Sequence, residues 1–480
     1  MRQHEKAAED RPETRADGFL GAGWVLGLAC AAQFMVVLDV SVVNVALPSI
    51  RTALGFAAVD LPWVVNAYGL VFAGLLLLGG RLADVLGHRR AFVLGLALFS
   101  AASLAGGLAG APGALIAARA AQGAGAALLA PATLTVLTGT FPEGPARTRA
   151  LAIWTAVGVA GGAAGNLIGG ALTEYLSWRW VLLVNVPIGA AGVLLGMRFL
   201  PAGRDEERTP PRLDVPGAVL ATTGTIALAY GLAQAESRGW DDAVTVGASA
   251  AGLLVLAGFV GVEARMTRAP LVPVRILRIR SVGVGNLILL LTGTCLIPMW
   301  YFLSLYMQQV LHYGPLRTAV GFLPHTLVTM AVGAHLAPRL MRRTGSRTLI
   351  VTSAVVSAAG FWWQSRMDSG SGYVDGVLGP AIVMSIGSGL LLTPITTAVT
   401  GGVGPADAGA ASGLMNTTKQ VGGALGLAAL SVIATPADTA DVNSLADGYA
   451  RAFAVMTGVL VVVAVVSLLL PHRDGGPHRR

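Results

Sequence analysis

What this sequence has little of is charge. Only 12% of its 480 residues are Asp, Glu, Lys or Arg, while 54% are hydrophobic, against a charged share of about a quarter in soluble domains. That balance excludes a water-soluble globule and points to a chain that crosses a bilayer many times. Lysine is nearly absent: Lys6 and Lys419 are the only two, and neither follows a glycine. A Walker A phosphate loop is therefore excluded, and HExxH and GxSxG are missing as well. ATP-driven pumping by this chain alone drops out, and the residues imply neither an enzyme nor a cofactor. The two cysteines, Cys30 and Cys295, lie 265 positions apart in apolar runs, so neither a redox pair nor a metal site is indicated. The first 18 residues are polar and of mixed charge, without the apolar core and small-residue cleavage site of a removable signal. The net charge of +8 comes from arginines in short loops between apolar runs, which a topological cause explains without nucleic acid.

What is present is a succession of apolar runs near the ~20 residues that span a bilayer. They fall near residues 20–46, 58–79, 91–110, 113–137, 150–172, 179–200, 215–234, 243–262, 283–307, 317–337, 348–364, 376–399, 409–433 and 450–471. The stretch GGRLADVLGHRR, Gly79 to Arg90, reads as a short basic turn between two of them, and short basic loops stay on the cytoplasmic side. With that turn inside, 26 of the 33 Arg and Lys residues are cytoplasmic, six are outside and Arg119 is intramembrane. An error of one span would scramble this bias, so both termini are expected in the cytoplasm.

Three segment pairs recur in order at nearly constant offset. RLADVLGHR at Arg81 aligns with RLMRRTGSR at Arg339, LLAP at Leu128 with LLTP at Leu391, and GGAAG at Gly161 with GGALG at Gly422, at offsets of 258, 263 and 261. Such repetition argues for two homologous halves. Six spans need fewer residues than the offset, so the surplus is an insertion. The expectation is an all-α integral membrane fold with 14 transmembrane helices, arranged as two pseudo-symmetric six-helix bundles plus a two-helix insertion. Its parts are a tail over 1–18, a bundle over 19–200, a linker with two extra helices over 201–281, a bundle over 282–471 and a tail over 472–480. Parallel bundles of this kind carry substrates between the halves near the midplane.

At this point the motifs resemble a known family. Gly80, Leu82, Ala83, Asp84, Gly87, His88, Arg89 and Arg90 match the loop between the second and third spans of the major facilitator superfamily. LDVSVVNVALP, RAAQGAGAA, SWRWVLLVNVPIG and SGLMNTTKQVGGALG, beginning at Leu38, Arg119, Ser177 and Ser412, resemble signatures of its 14-span drug:proton antiporters. GNLIGG departs from the antiporter motif by placing Asn166 where Pro is usual, and Lys419 replaces a more usual Arg, which keeps charge but loses a bidentate fork. The resemblance implies a proton-driven exporter of amphipathic drugs or antibiotics in a bacterial cytoplasmic membrane, functional as a monomer, whose partners are the substrate, protons and lipid. A transporter of one metabolite on the same fold and a ligand-binding sensor without flux are the alternatives.

Only Asp39 and Arg119 are ionisable residues well inside spans, and each costs at least ~2.5–3.5 kcal/mol at a helix centre. Asp39 lies nine residues before Pro48 and Arg119 seven after Pro112, which puts both roughly 10–14 Å below the outer surface at ~1.5 Å rise per residue. Depth permits a pair. One reading has Asp39 take up a proton or a cationic group while Arg119 keeps it charged until one arrives; the other is a static ion pair locking two helices. The resemblance adds Gln122 to the proton-coupling positions. It makes Gly80, Asp84, Gly87, Arg89 and Arg90 a conformational latch. Gly158, Gly161, Gly162, Gly165, Gly169 and Gly170 give the fifth span a smooth face for close packing, with Asn166 among them. Gln33, Asn44, Asn66, Tyr68, Trp300, Tyr301, His325, Asn416 and Gln420 are candidates to line a cavity, and Asn185, Asn286 and Trp362 are further polar or aromatic groups in or at the ends of spans.

Overall fold

The computed structural model describes residues 12–57, 60–142, 145–200, 214–265, 274–400, 403, 408–435 and 441–471. The beginning of the N-terminal tail, the linker over 201–213 and the C-terminal tail lie outside them. Among the described residues the chain is helical, without strands, as a backbone that must satisfy its own hydrogen bonds in lipid has to be.

In chain order the rods are α1 (Pro12–Leu54), α2 (Trp63–Leu86), α3 (His88–Gly107), α4 (Pro112–Thr140) and α5 (Pro145–Tyr175). Then come α6 (Trp180–Phe199), α7 (Val215–Arg238), α8 (Ala243–Arg265), α9 (Arg280–Val310) and α10 (Pro315–Thr344). The last are α11 (Ser346–Gln364), α12 (Val374–Val399), α13 (Ala408–Ala434) and α14 (Val442–Ser467). Ten helices among the described residues are long and apolar enough to cross a membrane, and shorter apolar stretches, Trp63–Leu76 and Val219–Leu232, lie within α2 and α7.

Local chemistry explains where these rods start and stop. Pro112 and Pro315 open α4 and α10, where a missing N–H costs nothing. Asp214 and Asp441 cap α7 and α14 through their carboxylates. Arginines from neighbouring segments bind carbonyls at helix C-termini that have no intrahelical partner: Arg147 on Phe141 O and Thr138 O, Arg179 on Gly107 O and Ala109 O, Arg451 on Thr435 O.

Two sequence boundaries need correction. The first span, expected to close at residue 46, continues through Pro48 to Leu54. The stretch Gly79 to Arg90, read as a turn, is mostly helix: α2 runs to Leu86, and the direction changes at Gly87 alone, with φ of +81°. Helix-forming Arg, Leu and Ala carry the rod onward, and a positive φ is one that glycine adopts without strain. Gly345, at φ +79°, makes the same break between α10 and α11.

Packing follows one pattern twice. α1 lies on α4, α5 and α6, α2 on α4, and α3 on α4 and α6; α9 lies on α12, α13 and α14, α10 on α12, and α11 on α12 and α14. Between these groups α5 packs on α10 and α2 on α13, while α7 and α8 pair and α7 leans on α2 and α13. The seam is held at the end that carries Pro48 and Pro315. There Ser304 Oγ donates to Asn44 O at 2.9 Å, Gln308 Nε2 to Val45 O at 2.9 Å, and the Leu316 N–H to Glu174 Oε2 at 2.9 Å. On the α2–α13 side Thr417 Oγ1 donates to Ala73 O at 3.2 Å.

Candidate functional site

The two embedded charges meet. Arg119 Nη1 lies 2.5 Å from Asp39 Oδ2, with the arginine 1% and the aspartate 0% exposed. The meeting follows from packing, since α1 and α4 lie side by side with Asp39 and Arg119 at the same level.

A closed set of donors surrounds the carboxylate. Gln122, one helical turn after Arg119, donates from Nε2 to Asp39 Oδ1 at 3.0 Å and accepts from Arg119 Nη1 at 2.9 Å. Asn185 of α6 donates to the same Oδ1 at 2.9 Å. Gln122 Nε2 also reaches Ser103 Oγ of α3 at 2.7 Å. From α2, the Val64 carbonyl accepts from Arg119 Nε at 3.0 Å, and the Tyr68 ring lies 4.6 Å from the guanidinium carbon. Helices α1, α2, α3, α4 and α6 thus converge on one buried carboxylate.

Chemically, this arrangement lets Asp39 change charge without orphaning Arg119. A proton on the carboxyl would cancel the ion pair, yet Arg119 would keep Gln122 Oε1, Val64 O and the face of Tyr68 as partners. Two polar atoms of residues beside the pair, Tyr68 Oη and Asn185 Oδ1, have no hydrogen-bond partner among the described residues. Sequence reasoning paired Asp39, Arg119 and Gln122; it named Asn185 only as a polar residue and missed Ser103. Asn185 had a signal, being an amide inside the apolar SWRWVLLVNVPIG stretch. Ser103 had none, because a serine in an apolar helix ordinarily bonds the carbonyl four residues back, as this one also does to Phe99 O.

The other sequence candidates are spread over the molecule. On α5, added Cβ atoms at Gly161, Gly165 and Gly169 would fall within 3.0 Å of α1 atoms, and one at Gly170 within 2.8 Å of Pro315 O on α10. Gln33 lies against Gly158 of the same helix. Asn166, next to Gly165, is 3% exposed, and its Oδ1 has no partner among the described residues. Around the Gly87 break, Arg89 donates to Met197 O and so ties the start of α3 to α6. Gly80 faces Pro131 at 3.7 Å, Arg90 is exposed, and the side chain of Asp84 lies outside the described part.

The cavity candidates stand in several different surroundings. Asn44 belongs to the seam, while Asn66 and Tyr68 are buried among the helices around Asp39. Trp300 of α9 meets the His325 ring edge-on and the Phe322 ring at a tilt, each with centroids 4.9 Å apart. Tyr301 is buried against Phe302, Asn416 is exposed and Gln420 half-buried.

Fold and motifs together define a membrane transporter, not an enzyme: residues 29–427 match the Major Facilitator Superfamily, and the chain belongs to it. It is 53% identical over 446 residues to the cephamycin export protein CmcT of Amycolatopsis lactamdurans, covering 93% of this chain and 92% of that one. It is 42% identical to the puromycin resistance protein pur8 of Streptomyces alboniger, covering 93% and 91%. Among solved structures, a peptide transporter POT superposes with a TM-score of 0.70 at 16% identity, covering 93% of each chain. The human organic anion transporter MFSD10 does so at 0.57 and 16% identity, covering 95% of this chain and all of that one. At such identity these structures speak to the fold alone.

Proposed function

We propose that this protein exports amphipathic antibiotics or related drugs across a bacterial cytoplasmic membrane in exchange for protons, by alternating access between two bundles. The observation that carries the reading is the buried Asp39 carboxylate, held by Arg119, Gln122 and Asn185, beside an Arg119 that has further partners in Gln122, Val64 O and Tyr68. Support from relatives is that CmcT is named for cephamycin export and pur8 for puromycin resistance.

In this reading all fourteen helices cross the membrane with both termini cytoplasmic. The groups α1–α6 and α9–α14 are pseudo-symmetric bundles, which the repeated packing pairs support, and α7 with α8 is an insertion against α2 and α13. The seam bonds at Asn44, Val45 and Glu174 then lie at the outer face, so this conformer is closed to the outside. Asp39, Arg119 and Gln122 couple the proton; a proton on Asp39 weakens the tie between α1 and the α4–α6 pair, freeing α1 to reorient. Gly80, Asp84, Gly87, Arg89 and Arg90 latch the cytoplasmic end, and the glycine face of α5 lets that helix slide. A monomer is sufficient.

Reconstituted full-length protein in vesicles with an imposed pH gradient tests this directly. Ethidium and puromycin should accumulate against their gradients, and a protonophore should abolish it. Binding of either compound without gradient-driven movement would instead identify a sensor.

A further inference from the structure

Two of the bonds that close the seam have a common origin: in each, a backbone group that its own helix cannot pair is completed from the other half. Pro48 lies inside α1. A helical carbonyl is paired by the N–H four residues on, and for Asn44 O that residue is Pro48, which has no N–H and whose ring crowds the same carbonyl. Ser304 Oγ of α9 donates to Asn44 O at 2.9 Å instead, from a residue that is 0% exposed. Gln308, one turn further along α9, braces the arrangement by donating from Nε2 to Ser304 Oγ at 3.1 Å and to Val45 O at 2.9 Å. A serine in a helix ordinarily bonds the carbonyl four residues back; this one gives its single proton to the opposite half.

The second contact runs the other way. α10 opens at Pro315 after Gly314, which has no side chain to cap it. The first N–H groups of a helix have no intrahelical partner, and the Leu316 N–H is one of them. Glu174, in the last turn of α5, accepts it on Oε2 at 2.9 Å. A Cβ on Gly314 would come within 2.9 Å of that same oxygen, so the close approach requires glycine. Each half thus presents one backbone group orphaned at or beside a proline, and supplies one side chain that completes the other's. Ser304 is buried and Glu174 exposed, which puts one contact inside the seam and one at its rim.

We propose that these two contacts are the lock of the outer gate. Parting α1 from α9 and α5 from α10 leaves Asn44 O and the Leu316 N–H without protein partners, and buried backbone groups are nearly always paired, so the seam opens only as water enters to complete them. Ser304 and Glu174 are positioning residues that set the balance between closed and open outer ends, with no part in binding substrate or proton. The proposal rests on the alternating-access reading above, which makes this end the outer one.

The test reads the outer end by pulsed electron paramagnetic resonance, on full-length protein in lipid nanodiscs. Spin labels go on Ala53→Cys and Arg366→Cys, both exposed positions, with Cys30 and Cys295 replaced by alanine. Ser304→Ala should raise the ratio of open to closed outer ends roughly tenfold, the upper end of what one hydrogen bond contributes, while Ser304→Thr, which keeps the hydroxyl, should match the wild type. In a Pro48→Ala background residue 48 has an N–H for Asn44 O, and there Ser304→Ala should change the ratio by no more than about twofold. Glu174→Ala should raise it about fivefold, as loss of a helix cap does, and Glu174→Gln, which keeps an acceptor oxygen, should recover part. An equal shift by Ser304→Ala with and without Pro48, or no shift in either background, overturns the lock and leaves the export reading standing. A wild type confined to one outer distance at acid and neutral pH, with and without puromycin, overturns alternating access, and the lock with it.

Discussion

The two halves of the molecule solve the same packing problem with opposite interiors. Around α1–α6 the centre is ionic: a carboxylate and a guanidinium, both fully buried and tied by side chains from α1, α4 and α6. Around α9–α14, Trp300, His325 and Ser385 form a cluster of an aromatic ring, an imidazole and a hydroxyl, while the one lysine of that half, Lys419, lies on α13. The rods differ as well. Among the described residues, π turns occur at Tyr306–Val310, Val332–Leu336 and Val374–Leu378, all in the C-terminal half. Such turns break the regular hydrogen-bond ladder and frequently accompany function. On the proposed reading this is a division of labour, in which one half carries the proton-coupling pair and the other supplies an aromatic wall.

The sharpest way to break this comparison is to strip the ionic centre of its cation. Arg119→Met leaves Asp39 buried without a counter-charge, an effect worth about 3–5 kcal/mol, and thermal unfolding in detergent should show a large loss. Adding Asp39→Asn to that variant should recover most of it. Asp39→Asn by itself comes next: folded protein and puromycin binding should persist while accumulation driven by the pH gradient disappears. Asn185→Leu removes one hydrogen bond to a charged group and should destabilise by about 1.5–3 kcal/mol. In the C-terminal half, Ser385→Ala should cost only about 0.5–1.5 kcal/mol, because it removes one hydroxyl contact and leaves Ala381 O 3.4 Å from His325 Nδ1. If Ser385→Ala proved as damaging as Asn185→Leu, the contrast between the halves would collapse.

The smallest effect belongs to a loop of the C-terminal half. The Ser371 hydroxyl, 2.8 Å from Asp368 Oδ1, holds that carboxyl below its ordinary range, helped by the backbone N–H groups of Ser371 and Gly370. A folded-state carboxyl held low contributes stability that is present above its unfolded value and lost as pH falls through the folded one. Hydrogen exchange over residues 366–372 should therefore quicken in acid below the usual aspartate range, and Ser371→Ala should flatten that dependence.

How much of this was legible beforehand depended on whether the signal was local. Asp39 and Arg119 stood out because charge inside an apolar run is costly wherever it faces, and counting from Pro48 and Pro112 placed them at one depth. Their partners were harder. Ser103, Val64 O and Asn185 reach the pair from helices that only the packed fold brings together, and a backbone carbonyl such as Val64 O leaves no trace in sequence. Gly87 was visible as part of a motif, but its role as the lone break between two continuous helices was not, because helix propensity on either side mimics that of any basic loop. The seam was hidden for a related reason. Ser304, Gln308 and Gly170 are ordinary residues whose importance comes from what stands opposite them.

The central claim is that Asp39 exchanges a proton against substrate. Puromycin binding to purified protein, measured over a series of pH values, tests it most directly. The account predicts that binding by the wild type weakens as pH falls and that Asp39→Asn binds without that fall. An equal pH dependence in Asp39→Asn and the wild type would contradict it.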